Sequence, residues 1–327
     1  MRAVTYSRFG PASDVLKTAT VERPAPAPGE VLVRLSHSGV NPSDAKARAG
    51  SRPGVTRPPY PVIVPHSDGA GVIETVGHGV DESRVGQHVW IYNGQWRRAM
   101  GTAAEYIAIG AEQAVPLPDG IDPRVGATLG IPGLTAAHCV FGGGDVADKT
   151  VLISGGAGAV GHNAVQMARW GGARVVATCS ARDMERVRAA GAAHVFDYTA
   201  PDLAQRIADA VGAVDRAVEV EFGANAAMLG EVLAENGHVA AYGSARDMTP
   251  TLPFGPYLFK AITIEIVLIY LLPMARRKAA IDRLHAALTG GGLDPAIHAT
   301  LPLEDCAKAH DLVMAGGRAG AVLLEIG

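Results

Sequence analysis

The sequence has few of the residues on which several classes of protein depend. Its 327 residues include three cysteines, Cys139, Cys179 and Cys306, which form neither a CxxC pair nor an even disulfide framework. Aromatic residues make up 5% of the chain, and the formal charge of −3 arises from interspersed charges of both signs. Such a chain offers no basic surface to nucleic acid and no polybasic patch to a membrane. We therefore expect a reducing, cytoplasmic location and no nucleic-acid partner.

Long hydrophobic runs are also missing. The longest apolar run, residues 261–272, is about a dozen residues and contains Glu265, whereas a membrane-spanning helix needs about 20 apolar residues. The N-terminal sequence MRAVTYSRFG has no apolar core of signal-peptide length and alternates like a first strand. The sequence thus predicts a soluble protein with no membrane association.

Glycine and proline, by contrast, are abundant, with 40 and 21 residues. The glycines do not follow the Gly-X-Y period of collagen, and a hydrophobic fraction of 48% is too high for a disordered chain. A length of 327 residues also exceeds the size at which a single core stops growing. We therefore expect a globular protein with two domains.

The order of predicted elements divides the chain. Short strands separated by turn residues dominate the first part, and from residue 124 onward strands alternate with helices. Six strands with helices between them predict a doubly wound parallel sheet, a Rossmann-type α/β domain. We place the β-rich domain at residues 1–123 and 290–327, and the nucleotide-binding domain at residues 124–289. The six predicted strands begin at Thr150, Arg174, His194, Asp215, Gly237 and Ala261.

A glycine-rich turn after the first of these strands is the strongest local signal. Gly156, Gly158 and Gly161 form G-x-G-x-x-G between a strand and a helix. The first glycine permits the tight turn, the second lets the backbone approach a pyrophosphate, and the third lets the helix pack on the strand. An ordinary glycine-rich turn is the alternative, but the following strand–helix units favour a dinucleotide site.

The end of the second strand indicates which dinucleotide binds. Residues 177–182 contain no acid that would hold a ribose 2′-hydroxyl. The Ser180 hydroxyl and the Arg182 guanidinium suit a 2′-phosphate instead, which favours NADPH over NADH. The alternative is that Ser180 caps the next helix together with Asp183, and that Arg182 is solvated. Tyr198, which closes the third strand, either contacts the adenine or its phosphate or is a buried strand-end residue.

This arrangement of domains resembles the medium-chain dehydrogenase/reductase superfamily. It is most similar to the zinc-independent, zeta-crystallin-like NADPH:quinone oxidoreductases, in which the β-rich domain is a GroES-like catalytic domain. The resemblance covers essentially the whole chain. Its carriers are residues 39–44, 67–71, 129–136, the glycine loop, 195–198 and 303–310.

The resemblance implies that no metal is bound. Zinc-dependent members of the superfamily hold catalytic zinc at positions that match Asn41, Ser67 and about Ile131, and none of these is a good zinc ligand. The four clustered cysteines of a structural zinc lobe are also missing. His66 has no thiolate or carboxylate companion at the matching positions, so we expect a turn or pocket histidine.

The resemblance also implies site residues. Asn41 would lie near the nicotinamide and the acceptor, and Thr135 beside the nicotinamide, so these two are the catalytic candidates. Their local alternatives are a turn at Asn41 and a helix cap at Thr135. Lys46 stands in a stretch where many relatives carry a pocket tyrosine, which predicts a wider or more basic acceptor pocket. The remaining cofactor-binding candidates are Ala159 and Val160 at the diphosphate, and Tyr242, Gly243 and Ser244 at the nicotinamide ribose.

The implied reaction is reduction of a quinone or related conjugated carbonyl by hydride from NADPH. Such an acceptor takes hydride onto an electrophilic carbon without a metal to stabilise an alkoxide. An enone or enoyl-thioester reductase and a non-catalytic NADPH-binding redox sensor are the alternatives. The family also implies a homodimer through the sixth strand, residues 263–269, whose β-branched edge would aggregate if left bare. The alternative is a strand covered by the next helix.

Overall fold

The computed structural model describes residues 1–51 and 54–327. The chain divides into two compact units, Met1–Ile131 with Ala296–Gly327, and Pro132–Pro295. Helix Pro123–Gly126 belongs to the first unit, although the sequence placed it at the start of the second domain. A β-carbon at Gly126 would lie 3.0 Å from the side chain of Ala70 and 3.2 Å from that of Leu117. This close packing explains why the helix belongs to the first unit.

The first unit is built on β-sheets, as predicted. A two-stranded sheet pairs β1 with β2, and a seven-stranded sheet has the order β14-β15-β3-β4-β5-β7, with β6 paired to β3. Only β14 and β15 run parallel among the described pairs of this sheet. The strands, numbered along the whole chain, are β1 Arg2–Thr5, β2 Lys17–Thr20, β3 Glu30–Val40, β4 Asp68–Val76, β5 His88–Ile91, β6 Tyr106–Gly110, β7 Ala114–Pro116, β14 Ile297–Pro302 and β15 Ala321–Glu325.

Alternation along the strands builds the core of this unit. Val31, Val33 and Leu35 of β3 are all buried, together with side chains from the neighbouring strands and from the last helix. Strand β3 continues to Val40 and so carries the chain directly to Asn41. The helices of the unit are α1 Ala12–Val15, α2 Pro42–Ala49, α3 Pro123–Gly126 and α11 Cys306–Ala315.

The second unit confirms the predicted doubly wound sheet. Its six strands are all parallel, in the order β10-β9-β8-β11-β12-β13. The order reverses between β8 and β11, and ligands of such sheets bind at the carboxyl ends of the strands near this point. The strands are β8 Thr150–Ile153, β9 Arg174–Cys179, β10 His194–Asp197, β11 Val214–Glu219, β12 Leu233–Ala241 and β13 Thr263–Ile266.

Six helices of the second unit precede or connect these strands, and a seventh, α10, follows the last strand. The predicted strand over residues 263–269 is too long, because β13 ends at Ile266 and Ile269–Leu271 forms a 3-10 turn. The Leu271 N–H donates to the carbonyl of Leu268, which turns the chain before the last helix of the unit. No helix within the described residues is long and apolar enough to cross a membrane. The helices are α4 Leu134–Phe141, α5 Ala159–Trp170, α6 Met184–Ala189, α7 Leu203–Val211, α8 Phe222–Val232, α9 Phe254–Phe259 and α10 Met274–Thr289.

The packing of α5 on the sheet yields a test of the glycine motif. A β-carbon at Gly161 would overlap the carbonyl oxygen of Gly155. We expect Gly161→Ala to lower the free energy of unfolding by about 1–3 kcal/mol, the usual cost of overpacking. Urea denaturation of the full chain measures this change.

The matched control for Gly161→Ala lies three residues away. A β-carbon at Gly158 would meet only the Gly155 carbonyl, at 3.5 Å, and φ is −75°. Gly158→Ala should therefore change stability by no more than about 0.5 kcal/mol. Equal losses in the two variants would contradict this account of the motif.

Candidate functional site

In the first unit, Asn41 sits where β3 ends and α2 begins. It is the N-cap residue of α2, Pro42 is the first helical residue, and the Asn41 N–H donates to Asp44 Oδ2 at 2.8 Å. Asp44 is thus a capping residue of α2. The turn expected at Asn41 is the start of α2. Asn41 is only 6% exposed, so this helix start holds its side-chain amide in a buried position.

A buried carboxylate, Asp68, holds this amide in place. Asp68 Oδ2 accepts one hydrogen bond from Asn41 Nδ2 at 2.8 Å and another from the Ile131 N–H at 2.9 Å. Burial raises the pKa of Asp68 well above its ordinary value, and these two donors act in the opposite direction. A β-carbon at Gly130 would overlap Asp68 Oδ1, so glycine is required beside the carboxylate. Asp68 therefore joins the starts of β4 and α2 to residue 131.

Sequence reasoning missed Asp68 as a site residue. The signal was present, since this acid begins an apolar strand between Ser67 and Gly69. The residue types show that the position is buried among small neighbours, but they do not show which distant donors it meets. Asn41 lies 27 positions and Ile131 lies 63 positions away along the chain.

The surroundings of His66 differ from expectation. Its φ of 79° is that of a turn residue, as predicted, but its ring is fully buried in the core. The His66 ring bonds to Ser38 through Nδ1 and to His310 through Nε2. Cys306 Sγ lies 3.8 Å from the same Nε2. His66 is therefore not a pocket residue, and its companions come from a distant helix, which local motif matching does not detect.

In the stretch around Lys46, where many relatives carry a pocket tyrosine, some side chains are exposed and others are buried. Lys46 is exposed, whereas Arg48 is buried and its Nη1 donates to the carbonyl of Gly10. A cavity of about 350 Å³ lies beside the end of α2 in the same unit. Its lining includes Tyr6, Phe9, Ala47, Gly50, Tyr60 and Trp96.

In the second unit, the glycine loop connects β8 to α5. Gly158 is the N-cap residue of α5 and is exposed, and Ala159 and Val160 are its first two helical residues. The first N–H groups of a helix have no acceptor within the helix and carry partial positive charge. Position 158 tolerates a side chain as far as the fold is concerned. The space that its β-carbon would fill is therefore open to a ligand.

Near Ser180 lies an acid, Asp183, which the sequence indicated only as a possible helix-capping residue. Ser180 Oγ donates to Asp183 Oδ2 at 2.5 Å, and Arg182 Nε lies 3.5 Å from the same oxygen. Ser180 stands at the N-cap position of Ala181–Asp183, but its side chain accepts no capping hydrogen bond there. The capping alternative is thus only partly right. Arg182 is exposed, with 67% of its side chain in solvent.

Arg186, one helical turn after Arg182, was not predicted. Its Nη2 donates to the carbonyl of Ala157 in the glycine loop, and it lies 3.8 Å from Asp183 Oδ1. Its Nη1 is buried with no hydrogen-bond partner. A buried, unsatisfied guanidinium nitrogen beside the glycine loop fits an anionic ligand. The sequence signal was the spacing of four residues, which would place two arginines on one face of a continuous helix. In the structure Arg182 lies in the 3-10 turn Ala181–Asp183, and α6, which carries Arg186, begins at Met184.

The alternatives weighed for two other candidates are wrong. Tyr198 follows β10 and is 46% exposed, with the Arg246 guanidinium 5.5 Å from its ring centre, so it is not a buried strand-end residue. Thr135 does not cap α4, because the N-cap residue is Gly133; Thr135 is buried within the first turn.

The predicted ribose segment follows β12 at the carboxyl edge of the sheet. The Tyr242 N–H donates to the Glu219 carbonyl at 2.9 Å, and burial raises the pKa of Tyr242 well above its ordinary value. Gly243 accepts from the Phe222 N–H at 3.0 Å. Ser244 Oγ accepts from the Gly223 N–H at 2.8 Å. The segment is thus a strand-ending loop fixed against the connection between β11 and α8.

Comparison with known proteins agrees with this architecture. Residues 27–119 match the alcohol dehydrogenase GroES-like domain, and residues 159–286 match the zinc-binding dehydrogenase family. The quinone oxidoreductase of Rattus norvegicus is 30% identical over 334 residues, covering 99% of this chain and 97% of that protein.

Solved structures of dehydrogenases and reductases also match the chain over its full length. A structure described as an NAD-dependent alcohol dehydrogenase superposes with a TM-score of 0.89 at 28% identity, covering 100% of both chains. A mycobacterial protein complexed with NADPH superposes with a TM-score of 0.86 at 26% identity, again over 100% of both chains. The chain therefore belongs to the zeta-crystallin-like quinone oxidoreductase family of the medium-chain dehydrogenase/reductases.

Proposed function

We propose that this protein reduces a quinone or a related conjugated carbonyl with NADPH, without a catalytic metal. Family membership supports an oxidoreductase, and relatives named quinone oxidoreductase support the acceptor class. The observation that carries the proposal is the open, exposed Gly158 at the start of α5, beside the unsatisfied Arg186 guanidinium.

The residues present fit a dinucleotide with a 2′-phosphate. NADPH would supply the hydride when bound. The N–H groups of Ala159 and Val160 can meet a diphosphate that approaches the bare backbone of Gly158. The residues proposed to hold the rest of the cofactor are Gly156 and Gly161 in the loop, Ser180, Arg182 and Arg186 for the 2′-phosphate, Tyr198 for the adenine, and Thr135, Tyr242, Gly243 and Ser244 for the nicotinamide half.

One observation favours NADH instead. Asp183 provides a carboxylate beside the end of β9, and an acid there can accept from a ribose hydroxyl. One structural relative is described as NAD-dependent. The Asp183 carboxylate, however, already accepts from Ser180 and faces two guanidinium groups. We therefore retain NADPH and test the choice at Arg182.

The proposed absence of a catalytic metal has support in the donor set. At the positions that match zinc ligands stand the Asn41 amide, whose Nδ2 donates to Asp68, the Ser67 hydroxyl and the apolar side chain of Ile131. None of these is a cysteine, histidine or carboxylate, and an open zinc site needs three protein ligands of those kinds. Asp68 instead orients Asn41 for contact with cofactor or acceptor.

We also propose a homodimer that pairs the β13 edges of two copies. Strand β13 has one neighbour in the sheet, and Ile266 is 73% exposed, so the next helix does not cover this residue. A bare apolar strand edge favours pairing with another copy of itself. The exposed apolar side chains near this edge are Phe254, Leu258, Phe259, Ile266, Leu268 and Leu271. All three cysteines are free and buried, which suits the proposed cytoplasmic location.

Acceptor-dependent oxidation of NADPH tests the function. We expect the protein to oxidise NADPH anaerobically with simple quinones, and Gly158→Val to lower kcat/KM by roughly 10²-fold, because a side chain there displaces the diphosphate. The thermal unfolding midpoint should stay unchanged. The acceptor panel includes an alkenal and an acyl thioester.

The outcomes separate the competing functions. Turnover with the alkenal or thioester and none with quinones would favour the enone or enoyl-thioester reductase. Tight binding of NADPH without turnover on any acceptor would favour the redox sensor. Equal activity in wild type and Gly158→Val would refute the cofactor site.

The 2′-phosphate contact is tested at Arg182. We expect Arg182→Glu to raise the Kd for NADPH by roughly 10-fold or more, because a charge-assisted hydrogen bond is replaced by repulsion, and to change the Kd for NADH much less. Fluorescence titration with both cofactors measures the two constants. Arg188→Glu, the same charge change at an exposed residue paired with Glu185, is the control. Equal losses for NADPH and NADH would exclude the phosphate role.

The dimer is tested at the exposed strand edge. We expect Ile266→Lys to weaken self-association by more than roughly 10-fold, because twofold pairing brings the two introduced charges together in an apolar contact. Sedimentation velocity over a concentration series measures the effect. Val85→Lys, at a residue that is 51% exposed in the other unit, is the control. A monomeric wild type at every concentration would refute the dimer.

A further inference from the structure

Two histidines and a cysteine meet in the core of the first unit. His66 precedes β4, and Cys306 and His310 lie four residues apart on one face of α11. Their exposures are 0%, 1% and 0%. The donor atoms His66 Nε2, His310 Nε2 and Cys306 Sγ all lie within 4.8 Å of one another. The described part of the chain contains this one cluster of potential metal ligands. Cys306 and His310 lie in the family segment 303–310, but the proposed reaction does not use them.

A chain of hydroxyl groups fixes the proton on His66. Thr102 Oγ1 donates its proton to the Asp68 carbonyl at 2.6 Å. Ser38 Oγ, 2.8 Å from Thr102 Oγ1, must therefore donate to it. The Ser38 oxygen then accepts from His66 Nδ1 at 2.9 Å. Because His66 Nδ1 carries the proton of the neutral ring, His66 Nε2 presents a lone pair to the cluster.

His310 can present a second lone pair. In the metal-free arrangement its Nε2–H donates to His66 Nε2 at 2.8 Å. Its Nδ1 is buried and has no hydrogen-bond partner. Moving the ring proton from Nε2 to Nδ1 therefore breaks no bond at Nδ1. After this move, both Nε2 lone pairs and the Cys306 sulfur face the same point.

We propose that His66, Cys306 and His310 bind one Cu(I) ion in a buried trigonal site. Thiolate sulfur is a soft ligand that selects Cu(I), and imidazole also suits copper. The nearest charged groups, Asp44 and Arg48, are of opposite sign and sum to zero. A thiolate and a monovalent cation also sum to zero charge, whereas a divalent ion would add a net positive charge to this buried site. Zinc prefers a fourth ligand, and three fully buried residues leave no exposed position for water.

The distances fit a three-coordinate ion. With metal–nitrogen and metal–sulfur bonds of about 2.0 and 2.3 Å, as for zinc, trigonal angles separate nitrogen from sulfur by about 3.7 Å. The His66 Nε2 to Cys306 Sγ distance is 3.8 Å. The two Nε2 atoms would move from 2.8 Å to about 3.5 Å apart. Binding therefore requires the two imidazole nitrogens to separate by about 0.7 Å, while all three donor atoms already lie within 4.8 Å of one another.

The proton balance of binding follows from the same geometry. The Cys306 thiol loses its proton to solvent, and the His310 proton moves within the ring, so one proton leaves the protein per ion bound. Copper stays in the monovalent state, and no electron is transferred. Ser38 accepts from His66 Nδ1 in both arrangements, and such outer-shell bonds orient metal-binding histidines.

Copper stoichiometry and ligand identity test the site directly. Reduced full-length protein is refolded anaerobically with Cu(I) supplied as its bicinchoninate complex, desalted, and measured for copper per chain. We expect one ion per chain, and an X-ray absorption spectrum with one sulfur and two nitrogen ligands. Cys306→Ser should lose far more affinity than the roughly 10–100-fold typical of an outer-shell change, for which Ser38→Ala is the comparison.

The control is Cys139→Ser, which removes an equally buried thiol, with 1% exposure, from the other unit. It should retain one copper ion per chain. Copper retention in wild type that is no higher than in Cys306→Ser, or a spectrum without sulfur, would overturn the proposal. One Zn(II) per chain with no retained Cu(I) would also overturn it. The spectrum of the wild type decides the question even where a variant does not fold.

Discussion

The buried carboxylate of Asp68 is the interaction on which the first unit's site depends. A carboxylate with no exposure is costly unless hydrogen bonds compensate it, and two donors, Asn41 and Ile131, converge on a single oxygen. Those two donors lie far apart in the sequence. Because both donors bond to Asp68, these hydrogen bonds fix the start of α2 at Asn41 and the position of Ile131, which follows α3. The geometry of Asn41 is a consequence of this constraint rather than of its local turn.

In the G-x-G-x-x-G motif of the second unit, Gly158 and Gly161 differ in whether the fold requires a glycine. Gly161 is required by the fold, because any β-carbon there meets the backbone of Gly155. Gly158 is not required by the fold, since its dihedral angles and surroundings accept a side chain. A glycine that the fold does not need leaves its backbone open to the approach of a ligand. The same pattern of letters thus contains one position that the fold requires and one that it does not.

The sequence predicted the doubly wound sheet because buried parallel strands are short apolar runs, such as residues 150–153 and 174–179, which stand out from polar loops. It also singled out Asn41 and the glycine loop as site candidates, because their neighbours in the chain form recognisable motifs, and their roles stay predictions. It did not predict Asp68 or Arg186, because each acquires its role from partners that are distant in sequence. The end of β13 was also placed too late, since Ile269–Leu271 is as apolar as a strand and turns only through its backbone hydrogen bonds.

His66 stands one residue before the position that matches a zinc ligand, and this difference decides which side chains the histidine contacts. The motif position that matches a zinc ligand is Ser67, and the histidine stands one residue earlier, where its ring enters the core and meets α11. The hydroxyl chain from Thr102 to Ser38 ends at this ring and begins at the carbonyl of Asp68, the residue that holds Asn41. Each hydroxyl has one proton, so the direction of every bond in the chain is fixed once Thr102 donates to that carbonyl. The buried His66 cluster and the Asn41 site are therefore supported by the same residue, Asp68, through its backbone for one and its side chain for the other.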